Sequence, residues 1–220
     1  MSKNEKKTVG RRALLGNMGV AAVAGLAASA ISAPSQAQTA EFKPARHSKD
    51  AWMAEMPGSH RVFVDSATLS GGANAVRYAA NIIQAHEEAY EGAASDYAMI
   101  VCFRHTSVPY AYNDAIWAKY GAIFDRSATP APTTNPMNTA SMANGQTTLA
   151  DLRAKGVQVV ICSKATASFA RAIAAATGAS ADEINAELVA GAIPQSQFVP
   201  AGVLAATRSQ EYRFSLLYAE

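Results

Sequence analysis

The sequence predicts an α/β domain with three layers, helices covering both faces of a mainly parallel five-stranded sheet. Two observations predict it. Short apolar runs alternate with stretches of helical period along the chain. The run Tyr97-Ala98-Met99-Ile100-Val101-Cys102-Phe103 is apolar without interruption, the mark of a strand buried on both faces. A third observation bounds the domain: the first 37 residues read as a removable leader, which leaves one domain with a proper core.

That leader has a positive start (Lys3, Lys6, Lys7), then Gly10-Arg11-Arg12-Ala13-Leu14-Leu15, then an Ala/Gly/Val-rich run to about Ala33. Ser35-Gln36-Ala37 is a small-x-small cleavage site. The adjacent arginines and the mild apolar run resemble a twin-arginine export signal, so a periplasmic location and contact with the twin-arginine export machinery are expected. Residues 1–37 hold five Lys/Arg and one Asp/Glu, so their removal turns a formal charge of +2 into −2. The basic balance belongs to the leader, which argues against a nucleic-acid or membrane-surface partner.

Residues 38–59 form an arm, with Lys43-Pro44 and Pro57-Gly58 breaking it around a short helix over 48–56. His60–Ser66 reads as the first strand and Gly71-Gly72 as punctuation before a helix over 74–91. Tyr97–Phe103 is the second strand, followed by a helix over 107–120. Residues 127–146 are rich in Pro, Thr, Asn and Met and too long for an ordinary connection; such loops are binding loops, lids or disordered segments. A short helix over 148–155 is capped by Thr147 or Thr148 and closed by Gly156. A strand over 157–162 runs into a helix that Gly178 ends. Ser180-Ala181-Asp182-Glu183 reads as a capping box for a helix to Val189. A strand over 197–200, a helix over 202–210 and a strand over 212–218 complete the domain.

Parallel strands joined by right-handed crossovers put their carboxyl ends on one edge, where open α/β sheets bind ligands. That edge collects Asp65, Arg104, His105, Cys162, Ser163 and Lys164. Cys162 is the leading candidate. A thiol at a helix N-terminus meets unpaired N–H groups and the positive end of the helix dipole, and both favour the reactive thiolate. Its alternative is a small apolar side chain ending a core strand. Lys164 adds positive charge, and His105 is a candidate acid or base for the thiol. Arg104 suits an anionic substrate, with Asp65 and Ser163 beside it. Strand alternation sends Arg104 and His105 to opposite sides. Trp117, Tyr110 and Tyr112 read as core aromatics or a pocket wall. A disulfide between Cys102 and Cys162 depends on facing geometry that spacing leaves open. His47, Met53, Met56 and His60 lie on an irregular arm without a fixed ligand geometry, so no metal site is assigned, and no cofactor motif stands out.

Leu152-Arg153-Ala154-Lys155-Gly156-Val157-Gln158-Val159-Val160-Ile161-Cys162 resembles the L-x-x-x-G-V-x-V-x-x-C segment of the DsrE/DsrF-like sulfur-relay family. Phe198-Val199-Pro200-Ala201-Gly202-Val203 and Gln210-Glu211-Tyr212-Arg213-Phe214 resemble that family's ending, and the resemblance spans residues 60–220 with 127–146 as an insertion. It implies a DsrE-like sheet, a homo-oligomer (trimer or hexamer), and sulfur carried as a persulfide on Cys162. The implied partners are a small sulfur-containing ligand or a sulfur-donor or -acceptor protein. A carrier is implied rather than a turnover enzyme. The alternative is a non-catalytic ligand-binding or assembly module in which Cys162 is structural.

Overall fold

The computed structural model describes residues 43–139 and 147–220. The expected leader (1–37), residues 38–42 of the arm and residues 140–146 of the long loop lie outside the described residues. The arm carries a 3-10 turn at Ser48–Asp50 and helix α1 (Trp52–Glu55). Then follow β1 (His60–Ser66), α2 (Leu69–Ala89), β2 (Tyr97–Phe103), a 3-10 segment (His105–Ala111) and α3 (Asp114–Phe124). The second half holds α4 (Leu149–Ala154), β3 (Gln158–Cys162), α5 (Ser163–Thr177), α6 (Ala181–Ala190), β4 (Gln197–Val199), α7 (Gly202–Glu211) and β5 (Ser215–Ala219).

All five strands are parallel, in the order β4-β3-β2-β1-β5. Alternation along the strands sorts the core onto two faces. Val64, Val101, Phe103, Val159 and Ile161 pack against α2, α3, α5 and α6. Phe63, Ile100, Cys102, Val160 and Val199 pack against Ala205 and Ala206 of α7, with Met53 of α1 beneath the same face. The first three crossovers step from β1 towards β4 and keep their helices on one face. The last runs back from β4 to β5, so the same handedness puts α7 on the other face. No helix among the described residues is long and apolar enough to cross a membrane.

Local chemistry explains most element boundaries. Thr148 Oγ1 accepts from Asp151 N, and Asp151 Oδ2 accepts from Thr148 N at 2.8 Å, a reciprocal cap for α4. Gly178 closes α5 in the left-handed region, at φ 76°. Ser180 is the N-cap of α6, but its hydroxyl makes no capping bond, so the expected box is not formed.

Three boundaries differ from the sequence expectation. Gly71-Gly72 is not punctuation but the first turn of α2, which starts at Leu69 under a Thr68 cap. A Cβ on Gly71 would stand 2.5 Å from the Ala219 carbonyl oxygen, and one on Gly72 2.6 Å from the Tyr110 ring. These glycines let α2 press onto β5 and the 3-10 segment. The expected helix over 107–120 is split: Pro109 lies in the 3-10 segment, and Asn113 caps a fresh helix through its bond from Ile116 N. The last strand starts at Ser215, because Tyr212 and Phe214 tuck under α7 and Arg213 takes a left-handed turn at φ 66°.

The described part of the long loop, 127–139, is packed down. Asn135 is fully buried and its Nδ2 donates to the carbonyls of Tyr110 and Tyr112, each at 2.8 Å, while Met137 joins the core. Trp117, Tyr110 and Tyr112 are core: Trp117 stacks on Tyr110 at 5.8 Å and donates its Nε1 proton to the Pro109 carbonyl.

Replacing an exposed helical glycine by alanine gains stability of up to about 1 kcal/mol. Gly71→Ala is expected to do the reverse, losing roughly 1–3 kcal/mol because the new methyl meets backbone. Urea unfolding of the variant checks the sign.

Candidate functional site

The carboxyl ends of the strands carry the candidate residues, and the structure divides them between the two faces. Asp65 and Arg104 meet each other. Arg104 Nε donates to Asp65 Oδ1 at 2.9 Å, and a terminal guanidinium nitrogen donates to Oδ2 at 2.8 Å. The Asp65 carboxylate raises the pKa of the guanidinium, chiefly through that hydrogen bond. Arg104 also lies over the Tyr218 ring at 5.9 Å. A Cβ on Gly202 would stand 2.7 Å from Arg104 Cβ and 3.1 Å from Cys102 Sγ, so the start of α7 rests on both residues. The Arg104 fork is thus already taken by Asp65, and its first role is to tie β1, β2 and β5 together at this edge.

His105 goes the other way. It adopts φ 53°, an uncommon conformation for a residue with a Cβ, directly after β2. The turn is held from below. Ser107 Oγ accepts from Arg104 N at 3.0 Å, Ser66 Oγ donates to the Cys102 carbonyl at 2.8 Å, and Thr106 N donates to the Ala67 carbonyl. Ser66 and Ser107 are fully buried. The imidazole is exposed and lines a cavity of about 150 Å³ with Thr106, Ala165, Ser168, Phe169 and Ala172. Cys162, Ser163 and Lys164 are not among the residues lining it.

Cys162 is the last residue of β3 and the N-cap of α5, with no side-chain capping bond. Its register partner is Val199 of β4. Connections leave β3 and β4 towards opposite faces, so Cys162 stands at the switch point of the sheet, the usual position of ligand crevices in open α/β folds. The residue is 6% exposed and packs with the α2–α6 side of the core. Ser163 is half-buried and Lys164 exposed on the first turn of α5. Thr166, not singled out in the sequence, and Tyr112, read there as core or pocket wall, link up beneath Cys162. Tyr112 Oη donates to Thr166 Oγ1 at 2.8 Å, and Thr166 Oγ1 donates to the Cys162 carbonyl at 3.1 Å. Burial pushes the Tyr112 phenol up, and the neighbouring Cys162 adds to the effect. A hydroxyl four residues past Cys162 was a readable signal for a bond back to its carbonyl; the pairing of Tyr112 with Thr166 joins distant positions and was not.

Both cysteines are free. Cys102 packs on the α7 face and Cys162 with the opposite one, which answers the question of a disulfide. Burial pushes the Cys102 thiol well above its usual range, and Asp65 raises it further.

No protein-family model matches the chain, and comparison with curated proteins and with solved structures likewise yields no match. The fold and site therefore define the chain as an α/β protein with a five-stranded all-parallel sheet and a thiol at its switch point.

The Asp65–Arg104 pair is expected to behave as a buried ion pair, side chains 7% and 21% exposed. Arg104→Met should destabilise the protein by about 3 kcal/mol by stranding the carboxylate, and the double variant with Asp65→Asn should recover much of that loss. A double-mutant cycle in urea measures the coupling.

Proposed function

We propose that the protein is an exported DsrE-like sulfur carrier that holds sulfur as a persulfide on Cys162. The observation that carries this reading is the place of Cys162, at once switch-point residue and N-cap of a fifteen-residue helix. The N-terminal N–H groups and dipole of α5 would favour a negatively charged persulfide beside them by about 0.3–1 kcal/mol. Lys164 adds an exposed positive charge on the first turn, and Ser163 offers a hydroxyl. In the carrier step, the Cys162 thiolate attacks a sulfane sulfur of a polysulfide. One S–S bond forms and one breaks, and the shortened polysulfide leaves with the electron pair, so no other redox reagent is needed.

The resemblance of residues 152–162 and 198–214 to the DsrE/DsrF-like family supports the three-layer DsrE-like architecture within this reading. The leader supports twin-arginine export to the periplasm. A homo-oligomer, trimer or hexamer, belongs to it as well: edge strand β5 leaves Leu216, Leu217 and Tyr218 36–47% exposed, apolar surface suited to a second copy. Arg104, paired with Asp65, acts here as support for the edge, with His105 serving the neighbouring groove.

A second reading has its own observation. Cys162 is 6% exposed and lies outside the lining of the His105 cavity, which favours a ligand-binding or assembly module with a structural thiol.

Exposure to polysulfide followed by intact-protein mass spectrometry separates the two. The carrier reading expects one or more added sulfur atoms on the wild type and none on Cys162→Ser. A wild type that stays unmodified under conditions that load an established carrier contradicts it.

A further inference from the structure

The His105 cavity does not stand alone. A second cavity of about 510 Å³ is lined by Leu69, Ile123, Phe124, Asp125, Arg126 and Ser127, among others, and it shares Thr106, Phe169 and Ala172 with the first. The shared residues make the two cavities one groove between α5, the end of α3, the start of α2 and the 3-10 segment. Its combined size falls within the range of small-molecule sites.

The floor of the groove is apolar. Phe169 packs edge-on against Phe124 at 5.4 Å, and Leu69, Ile123 and Ala172 extend the surface to either side. Ser70, Thr106 and Ser127 also line it. Three titratable side chains line it: His105, Asp125 and Arg126. Asp125 is turned back on its own chain, where Oδ1 accepts from Ser127 N at 3.0 Å, from Ser127 Oγ at 2.6 Å and from Ala128 N at 3.2 Å. Arg126 is exposed and has no carboxylate partner among the described residues. An apolar trough lined also by an arginine that pairs with no carboxylate among the described residues calls for an elongated apolar ligand with an anionic head.

We propose that this groove binds an amphipathic carboxylate, its chain or ring over Phe169 and its carboxylate at Arg126. The inference deepens the ligand-binding reading and does not depend on whether Cys162 carries sulfur. His105, left-handed at φ 53°, also lines the groove.

Isothermal titration of the full chain with octanoate, octanol and octylamine tests it. Octanoate is expected to bind, octanol more weakly, and octylamine not measurably. Arg126→Gln should weaken octanoate about tenfold and leave octanol unchanged, as loss of one charge-assisted contact predicts. Ala172→Trp, at an exposed position, should fill the groove and abolish both. Cys162→Ser should bind octanoate as the wild type does. Equal affinity for octanoate and octanol, unaltered by Arg126→Gln, would overturn the carboxylate assignment while leaving a ligand-binding module standing. No heat from octanoate, or octanoate binding that survives Ala172→Trp, would overturn the groove itself.

Discussion

A parallel sheet in the order β4-β3-β2-β1-β5 obliges its last connection to run back across the whole sheet, from one edge to the other. Right-handed crossovers then leave a single placement for the helices: α2 to α6 on one face and α7 on the opposite one. Everything at the functional edge follows from that reversal. It divides the loops that leave β3 and β4, sets Cys162 opposite Val199 at the division, and brings the start of α7 down onto Arg104 and Cys102. The thiol's surroundings are thus a consequence of topology before they are a matter of local sequence.

The same edge separates a packed, ion-paired face from one with surface cavities. On the α7 face, Asp65, Arg104 and Tyr218 hold three strands together, and Cys102 is sealed among apolar side chains. On the other face, the chain leaves β2 through a strained residue, His105, over a buried serine pair that fixes the turn. There the surface opens into the Phe169 groove. Between the two lies Cys162, its carbonyl tethered through Thr166 to Tyr112, its thiol without a capping partner. This polar chain fixes the backbone of Cys162, and its sulfur makes no hydrogen bond among the described residues. A residue exposure of 6% means that reaction requires local opening at the β3–α5 junction.

Much of the architecture was legible in the sequence, since doubly covered parallel strands are continuous apolar runs and helix ends are marked by Thr148, Gly156 and Gly178. The divergence of Arg104 and His105 was not legible from strand alternation: β2 ends at Phe103, and the left-handed turn at His105 sets its direction. What was not legible depends on contacts distant in sequence. Gly71-Gly72 reads as a break until Ala219 and Tyr110 are seen pressing on it. The start of β5 depends on Tyr212 and Phe214 docking under α7. The salt bridge that occupies Arg104 joins positions thirty-nine residues apart, and the groove takes its walls from four segments of the chain. Local propensity carries no information about such encounters.

The central proposal is that Cys162 reacts as the sulfur carrier while Cys102 stays sealed in the core. The most direct test is the denaturant dependence of thiol labelling under native conditions, read separately at the two cysteines by peptide mass spectrometry. The account predicts that Cys162 labels through local opening, at a rate nearly insensitive to low urea, whereas Cys102 labels only as global unfolding proceeds. Identical urea dependence at both cysteines, following the global unfolding free energy, would contradict it.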